Sequence, residues 1–130
     1  MKGIYVLVIS VCKDIEVSVG ALGDVFFEKG VYAYVGSAQN CLEKRVKRHL
    51  GKAKRKFWHI DYLLDNDAAK VKKAFCKEAA KSEECRIARK LDERGVAVRN
   101  FGCSDCSCFS HLFKVKDYGF LGAFMFEIKL

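Results

Sequence analysis

Gly30-Val31-Tyr32-Ala33-Tyr34-Val35-Gly36-Ser37, followed by Ala38-Gln39-Asn40-Cys41-Leu42-Glu43-Lys44-Arg45-Val46-Lys47-Arg48-His49-Leu50-Gly51, reads as a strand running into a helix. Val31 to Val35 is β-branched and aromatic, and Gly36-Ser37 ends it. Asn40 with Glu43 three residues on makes a capping box, and Gly51 stands where the helix stops. Leu42, Val46 and Leu50 line one stripe at four-residue spacing. Arg45 and His49 share the same spacing, which stacks them on one adjoining face, while Lys44, Lys47 and Arg48 point toward solvent or a ligand.

Upstream, Gly3 to Ile9 reads as a buried strand, and a short strand at Ile15 to Val19 is expected to pair back on it, with turn signals at Gly20 and Gly23. Downstream, Phe57 to Leu64 looks like a short helix packing Trp58, Ile60 or Tyr62, and Leu63 inward. Val71 to Cys76 is a further strand. Ser82 opens a helix that Gly95 closes, in which Glu84, Ile87, Ala88 and Leu91 follow the i, i+3, i+4, i+7 pattern. That pattern puts Glu84 on the apolar stripe, with Glu83 about 100° away. With strands at Val96 to Val98, Leu112 to Val115 and Ala123 to Ile128, the class is α+β: one domain over 1–130 with a central, mainly antiparallel sheet flanked by helices.

The 130 residues are 51% hydrophobic, which argues against disorder. No apolar run approaches the roughly 18 residues of a membrane span, and the N-terminus lacks the pattern of a signal peptide, so a cytoplasmic protein off the membrane is expected. The net charge is +8. It is concentrated: between Glu43 and Lys56 stand eight basic residues (Lys44, Arg45, Lys47, Arg48, Lys52, Lys54, Arg55, Lys56) and one acid, while the rest of the chain is nearly balanced. Such a segment is either a solvated face or a patch that tracks phosphates. Of seven cysteines, Cys12, Cys41, Cys76 and Cys85 are scattered and Cys103, Cys106 and Cys108 cluster, which fits an intracellular chain with mostly buried thiols.

Tyr34-Val35-Gly36, the helix from Leu42 to His49 with its Glu-Lys-Arg and Lys-Arg-His pieces, and the leading Gly3-Ile4-Tyr5 together resemble the core of the GIY-YIG nuclease superfamily, whose homing endonucleases carry a similarly worded helix. Twenty-eight residues separate Tyr5 from Tyr34, far more than usual in that superfamily, and an inserted hairpin over Asp14 to Phe27 would account for them. The strings GVYAYVGSA, RVKRH, FWHIDYLL, EECRIA, FGCSDCSC and SHLF extend the likeness over nearly the whole chain. They resemble a compact, mostly prokaryotic GIY-YIG-like domain that occurs alone or fused to a DNA-repair glycosylase of the helix-hairpin-helix type.

The resemblance implies a metal-dependent endonuclease that hydrolyses DNA phosphodiester bonds in repair or recombination. One Glu would hold a single divalent ion, Mg²⁺ or Mn²⁺, and Glu84 is the inward candidate. A Tyr, Tyr5 or Tyr34, would act at the attacking water. Arg45 would neutralise the phosphate with its guanidinium fork. His49 would orient the Tyr or relay a proton, and His59 matches the second polar residue after that helix. Asn100 resembles the Asn near the end of the nuclease core. Lys44, Lys47, Arg48, Lys52, Lys54, Arg55 and Lys56 would follow the strand backbone. DNA is the expected partner, with RNA left open because charge does not separate the two polymers. Cutting both strands would need two sites, hence a homodimer, and a DNA-repair enzyme is a further expected partner.

The segment Phe101 to His111 is a second candidate site. Cys106, Cys108 and His111, with Cys103 or His59 as the fourth, could hold Zn²⁺. A disulfide of Cys103 with Cys106 or Cys108, or a loop in which Asp105 caps local N–H groups, are the competing readings. Two other functional classes compete with the nuclease: a non-catalytic nucleic-acid-binding module using the same patch, and a structural Zn protein.

Overall fold

In chain order the elements are β1 (Gly3–Val11), β2 (Ile15–Ser18), β3 (Asp24–Phe27), β4 (Gly30–Ala38), α1 (Leu42–Leu50), α2 (His59–Leu64), β5 (Ala69–Lys77), α3 (Glu83–Asp92), β6 (Gly95–Ala97), β7 (Leu112–Val115) and β8 (Phe126–Ile128). They come from a computed structural model that describes residues 2–38, 42–51, 58–102 and 110–129, with Leu42 described by its backbone alone. Asn40, Lys52, Lys54, Arg55, Lys56, Phe57, Cys103, Asp105, Cys106 and Cys108 lie outside the described residues. Among the described residues no helix is long and apolar enough to cross a membrane.

Six strands form one sheet in the order β6-β7-β4-β1-β5-β8, and every neighbouring pair is antiparallel. β1 is apolar at nearly every position because both of its faces are covered. Tyr5, Leu7, Ile9 and Val11, with Tyr32 and Tyr34 of β4, meet Val46 of α1, Ile60 and Leu63 of α2, and Ile15 and Phe27 of the β2–β3 hairpin. On the other face Ile4, Val6 and Val8, with Ala33 and Val35, meet Ile87, Ala88 and Leu91 of α3 together with Leu121 and Met125. Where β1 meets β5, Val8 opposes Lys73 and Ile9 opposes Val71, so Lys72 is the extra residue of a bulge. The bulge shifts the parity of β5 and leaves Ala69, Val71, Ala74 and Cys76 all on the first face.

Four expectations need correction. β2 pairs with β3 and not with β1, forming a separate two-stranded sheet. β1 is already flanked by β4 and β5, so it has no edge left for β2 to join. The turn signals act within this hairpin, where Gly20 and Gly23 take φ of 47° and 84°. Leu50 is 43% exposed, because each four-residue step rotates a stripe by about 40° and carries it off the contact, and His49 turns inward beside Val46. The segment from Ala123 to Ile128 is divided between the end of a 3₁₀ turn (Gly119–Ala123) and β8. The thiols are less buried than expected: Cys12 is exposed, Cys76 is half-buried, and Cys85 is disulfide-bonded.

Candidate active site

β1 and β4 run side by side from end to end, so the hairpin between them separates Tyr5 from Tyr34 in sequence only. Tyr5 lies directly opposite Gly36 in the register, and Leu7 opposite Tyr34. A Cβ at Gly36 would collide with the ring and hydroxyl of Tyr5, so the glycine is what lets the phenol lie flat across β4. From α1, the His49 ring drops onto this surface. Its Nε2 is 2.8 Å from the Tyr5 hydroxyl, and its centroid is 6.3 Å from that of Tyr34. The tyrosine rings themselves are 6.4 Å apart. All three side chains are buried.

One turn before His49, Arg45 donates through Nη1 to the Ser37 carbonyl at 3.0 Å, and its guanidinium lies 4.5 Å from the centre of the Trp58 ring. Arg48 stands over the same ring at 4.6 Å. Trp58 had been expected to pack inward; it is 36% exposed and serves as the plate on which both guanidiniums rest. Arg48 is not simply a solvent-facing cation: Nη1 and Nη2 donate to Asp61 at 2.8 and 3.0 Å. Asp61 is 1% exposed and also accepts the Trp58 backbone N–H at 3.0 Å, which caps the start of α2. Its Oδ1 lies 4.0 Å from His49 Nδ1, a buried nitrogen with no hydrogen-bond partner among the described residues.

Burial dominates the electrostatics. It raises the Tyr5 and Tyr34 phenols above their ordinary value; the Arg45 guanidinium opposes the rise at both, and Glu84 and Asp61 add to it. Burial likewise pushes His49 down to about 4; Asp61 counters this, while Arg48 and Arg45 add to it. At neutral pH, then, a neutral imidazole faces a protonated phenol. Either ring can be the donor across the 2.8 Å contact, and which one is depends on whether the imidazole proton sits on Nδ1 or Nε2.

Glu84 is 7% exposed on the apolar stripe of α3, while Glu83 faces outward to Lys77 and Arg86, as the spacing predicts. α3 and α1 cover opposite faces of the sheet, yet the charges of Glu84 and Arg45 both bear on the Tyr5 and Tyr34 hydroxyls. Among the described residues no three His, Cys, Asp or Glu gather as a metal cluster. Glu84 is the buried carboxylate that α3 offers. That donor suits Mg²⁺ or Mn²⁺, which take one or two carboxylates and fill the shell with water and phosphate oxygens.

The remaining candidates are more scattered. His59 Nδ1 accepts the Gly102 N–H at 2.9 Å and the ring packs 5.5 Å from Phe101, so its contacts are with that loop and not with the Tyr5–His49 pair. Burial lowers its pKa. Asn100 is exposed at φ 62°, a conformation that asparagine tolerates better than most residues, and this turn accounts for its presence. His111 is buried and its backbone bridges Phe101 and Val35. Lys44 and Lys47 are exposed on α1. Sequence reasoning missed Asp61, Trp58 as a guanidinium plate, and the Ser37 carbonyl. The available signal was Asp61 three residues after Trp58, the spacing of a helix cap.

A family model described as a domain of unknown function, DUF123, matches residues 4–127, and the chain belongs to that family. No curated protein and no solved structure matches it.

Proposed function

For this member of the DUF123 family we propose a GIY-YIG-type, metal-assisted endonuclease that hydrolyses DNA phosphodiester bonds, acting in the cytoplasm in repair or recombination. The observation that carries the reading is the buried Tyr5–His49 hydrogen bond at 2.8 Å, set beside the Arg45 guanidinium. A phenol that hands its own proton to an imidazole can take one from a water molecule in the same motion. The water proton moves to the Tyr5 oxygen, the Tyr5 proton moves to His49 Nε2, and the water oxygen bonds to phosphorus as the leaving oxygen departs. Tyr5 is unchanged by the exchange, His49 becomes imidazolium and later loses its proton to solvent, and the departing alkoxide takes a proton from solvent. Arg45 offers its remaining N–H groups to the phosphoryl oxygens, where charge builds. An ion held by Glu84 would supply further charge relief at those oxygens. Exposed Lys44 and Lys47 extend the phosphate-facing surface.

The test is cleavage of branched, nicked and single-stranded DNA, with RNA beside them, by purified protein in Mg²⁺ or Mn²⁺. The wild type is expected to cut. Arg45→Ala and Glu84→Gln are expected to lose about 10²- to 10³-fold in rate while still binding. Binding without cutting by the wild type would end the enzyme reading in favour of a phosphate-recognising module.

A further inference from the structure

Asp61 does more in this geometry than close an ion pair. The contacts of its two oxygens include the Arg48 fork at 2.8 and 3.0 Å, the Trp58 N–H at 3.0 Å, and His49 Nδ1 at 4.0 Å. The first two grip the carboxylate from α1 and from the start of α2, so it cannot turn away from the third. His49, in turn, is fixed on its other side by Tyr5. The carboxylate, the imidazole and the phenol form a line from α2 through α1 to β1, buried along its whole length.

We propose that Asp61 is the positioning residue of the Tyr5–His49 pair, holding the imidazole with its proton on Nδ1 and balancing the charge that appears when Nε2 takes the Tyr5 proton. The inference rests on the nuclease reading for its catalytic consequence, though not for the state of the ring. At 4.0 Å, Nδ1 and Oδ1 stand about 1 Å beyond hydrogen-bond length. A buried N–H left at that distance is costly in the resting state, and the cost falls once the ring is charged and drawn to the carboxylate. The groups that bear on this ring are Tyr5 from β1, Tyr34 from β4, Arg45 and Arg48 from α1, and Asp61 from α2, while Lys70 of β5 lines the same cavity. Of these only Asp61 is an anion at neutral pH. It is therefore the group able to offset an imidazolium, which the two arginines oppose.

The experiment reads the two imidazole nitrogens of His49 by ¹⁵N NMR in the full chain, beside steady-state cleavage. In the wild type we expect a protonated Nδ1 and a bare Nε2; the reverse tautomer overturns the proposal without any variant. In Asp61→Asn we expect loss of this single tautomer, and a kcat lower by about 10²-fold with KM within about 2-fold. An Asp61→Asn protein that keeps the wild-type nitrogen spectrum, or whose loss falls on KM alone, shows Asp61 to be a cap and ion-pair partner only. If the wild type cuts nothing, the nuclease reading fails while the nitrogen spectra still decide the role of Asp61.

Discussion

Under α3 the sheet presents Ile4, Val6, Val8, Ala33 and Val35 to Ile87, Ala88 and Leu91, and the contact is apolar apart from Glu84 at its end. Under α1 and α2 the same strands present Tyr5, Leu7, Ile9 and Tyr34, and there the helices bring His49 and Asp61 into the buried layer. Both faces exclude water, and both rest on the same alternation of β1. The difference is that the α1–α2 face accepts titratable groups and satisfies most of them: Tyr5 by His49, Asp61 by Arg48 and Trp58. Burying polar groups is costly unless they are paired, so a face that does so repeatedly is shaped by more than stability. One face is apolar apart from Glu84, and the other buries the polar groups on which the proposed chemistry rests.

The comparison can be broken from the apolar side first. Leu91→Ala should destabilise the protein by about 4 kcal/mol in urea unfolding while leaving the Tyr5–His49 hydrogen bond intact by NMR. A variant that disturbs that bond as well would show the faces to be coupled. A somewhat smaller effect belongs to His49. The unfolded chain protonates this residue near pH 6.5, but the folded protein resists until about 4. Stability is therefore present above pH 6.5 and drains as pH falls through that window, by about 3 kcal/mol at the bottom. His49→Gln should remove this part of the acid sensitivity, read as the wild-type minus variant difference in unfolding free energy between pH 7 and 4. The smallest effect should come from the surface: replacing Lys44 and Lys47 with Ala should weaken DNA binding evenly across sequences and flatten the salt slope by about two units.

Much of the fold was legible because it follows from periodicity. The unbroken apolar run of β1, the β-branched and aromatic run of β4 and the i, i+3, i+4, i+7 stripe of α3 each name one element, and the stripe also put Glu84 inward. The hairpin inserted between β1 and β4 was legible from the distance between Tyr5 and Tyr34 and from its glycines. Its pairing was not, since β2 could be kept from β1 only by knowing that β4 and β5 occupy both sides. Of the candidate site, the Tyr5, Tyr34 and His49 rings pack together with Arg45 beside Tyr5, but His59 turns to Gly102. Asp61 was hidden for a physical reason. An aspartate in a short helix reads as exposed; the Trp58 N–H is a local cap, but the Arg48 fork that pairs its buried charge comes from another helix.

The detached β2–β3 hairpin has a consequence for how this surface assembles. Pairing Val11 with Gly30 must close a loop of 18 residues. Once Ile15 is paired with Phe27, only the short arms Cys12–Asp14 and Glu28–Lys29 remain to be ordered. On the logarithmic scaling of ring closure, that shortening spares about 1 kcal/mol of chain entropy. Hairpins of this kind form within microseconds, ahead of most tertiary steps. The insertion that pulls the two tyrosines apart in the chain thus works as a splint, making their reunion faster than a floppy connection of equal length would allow.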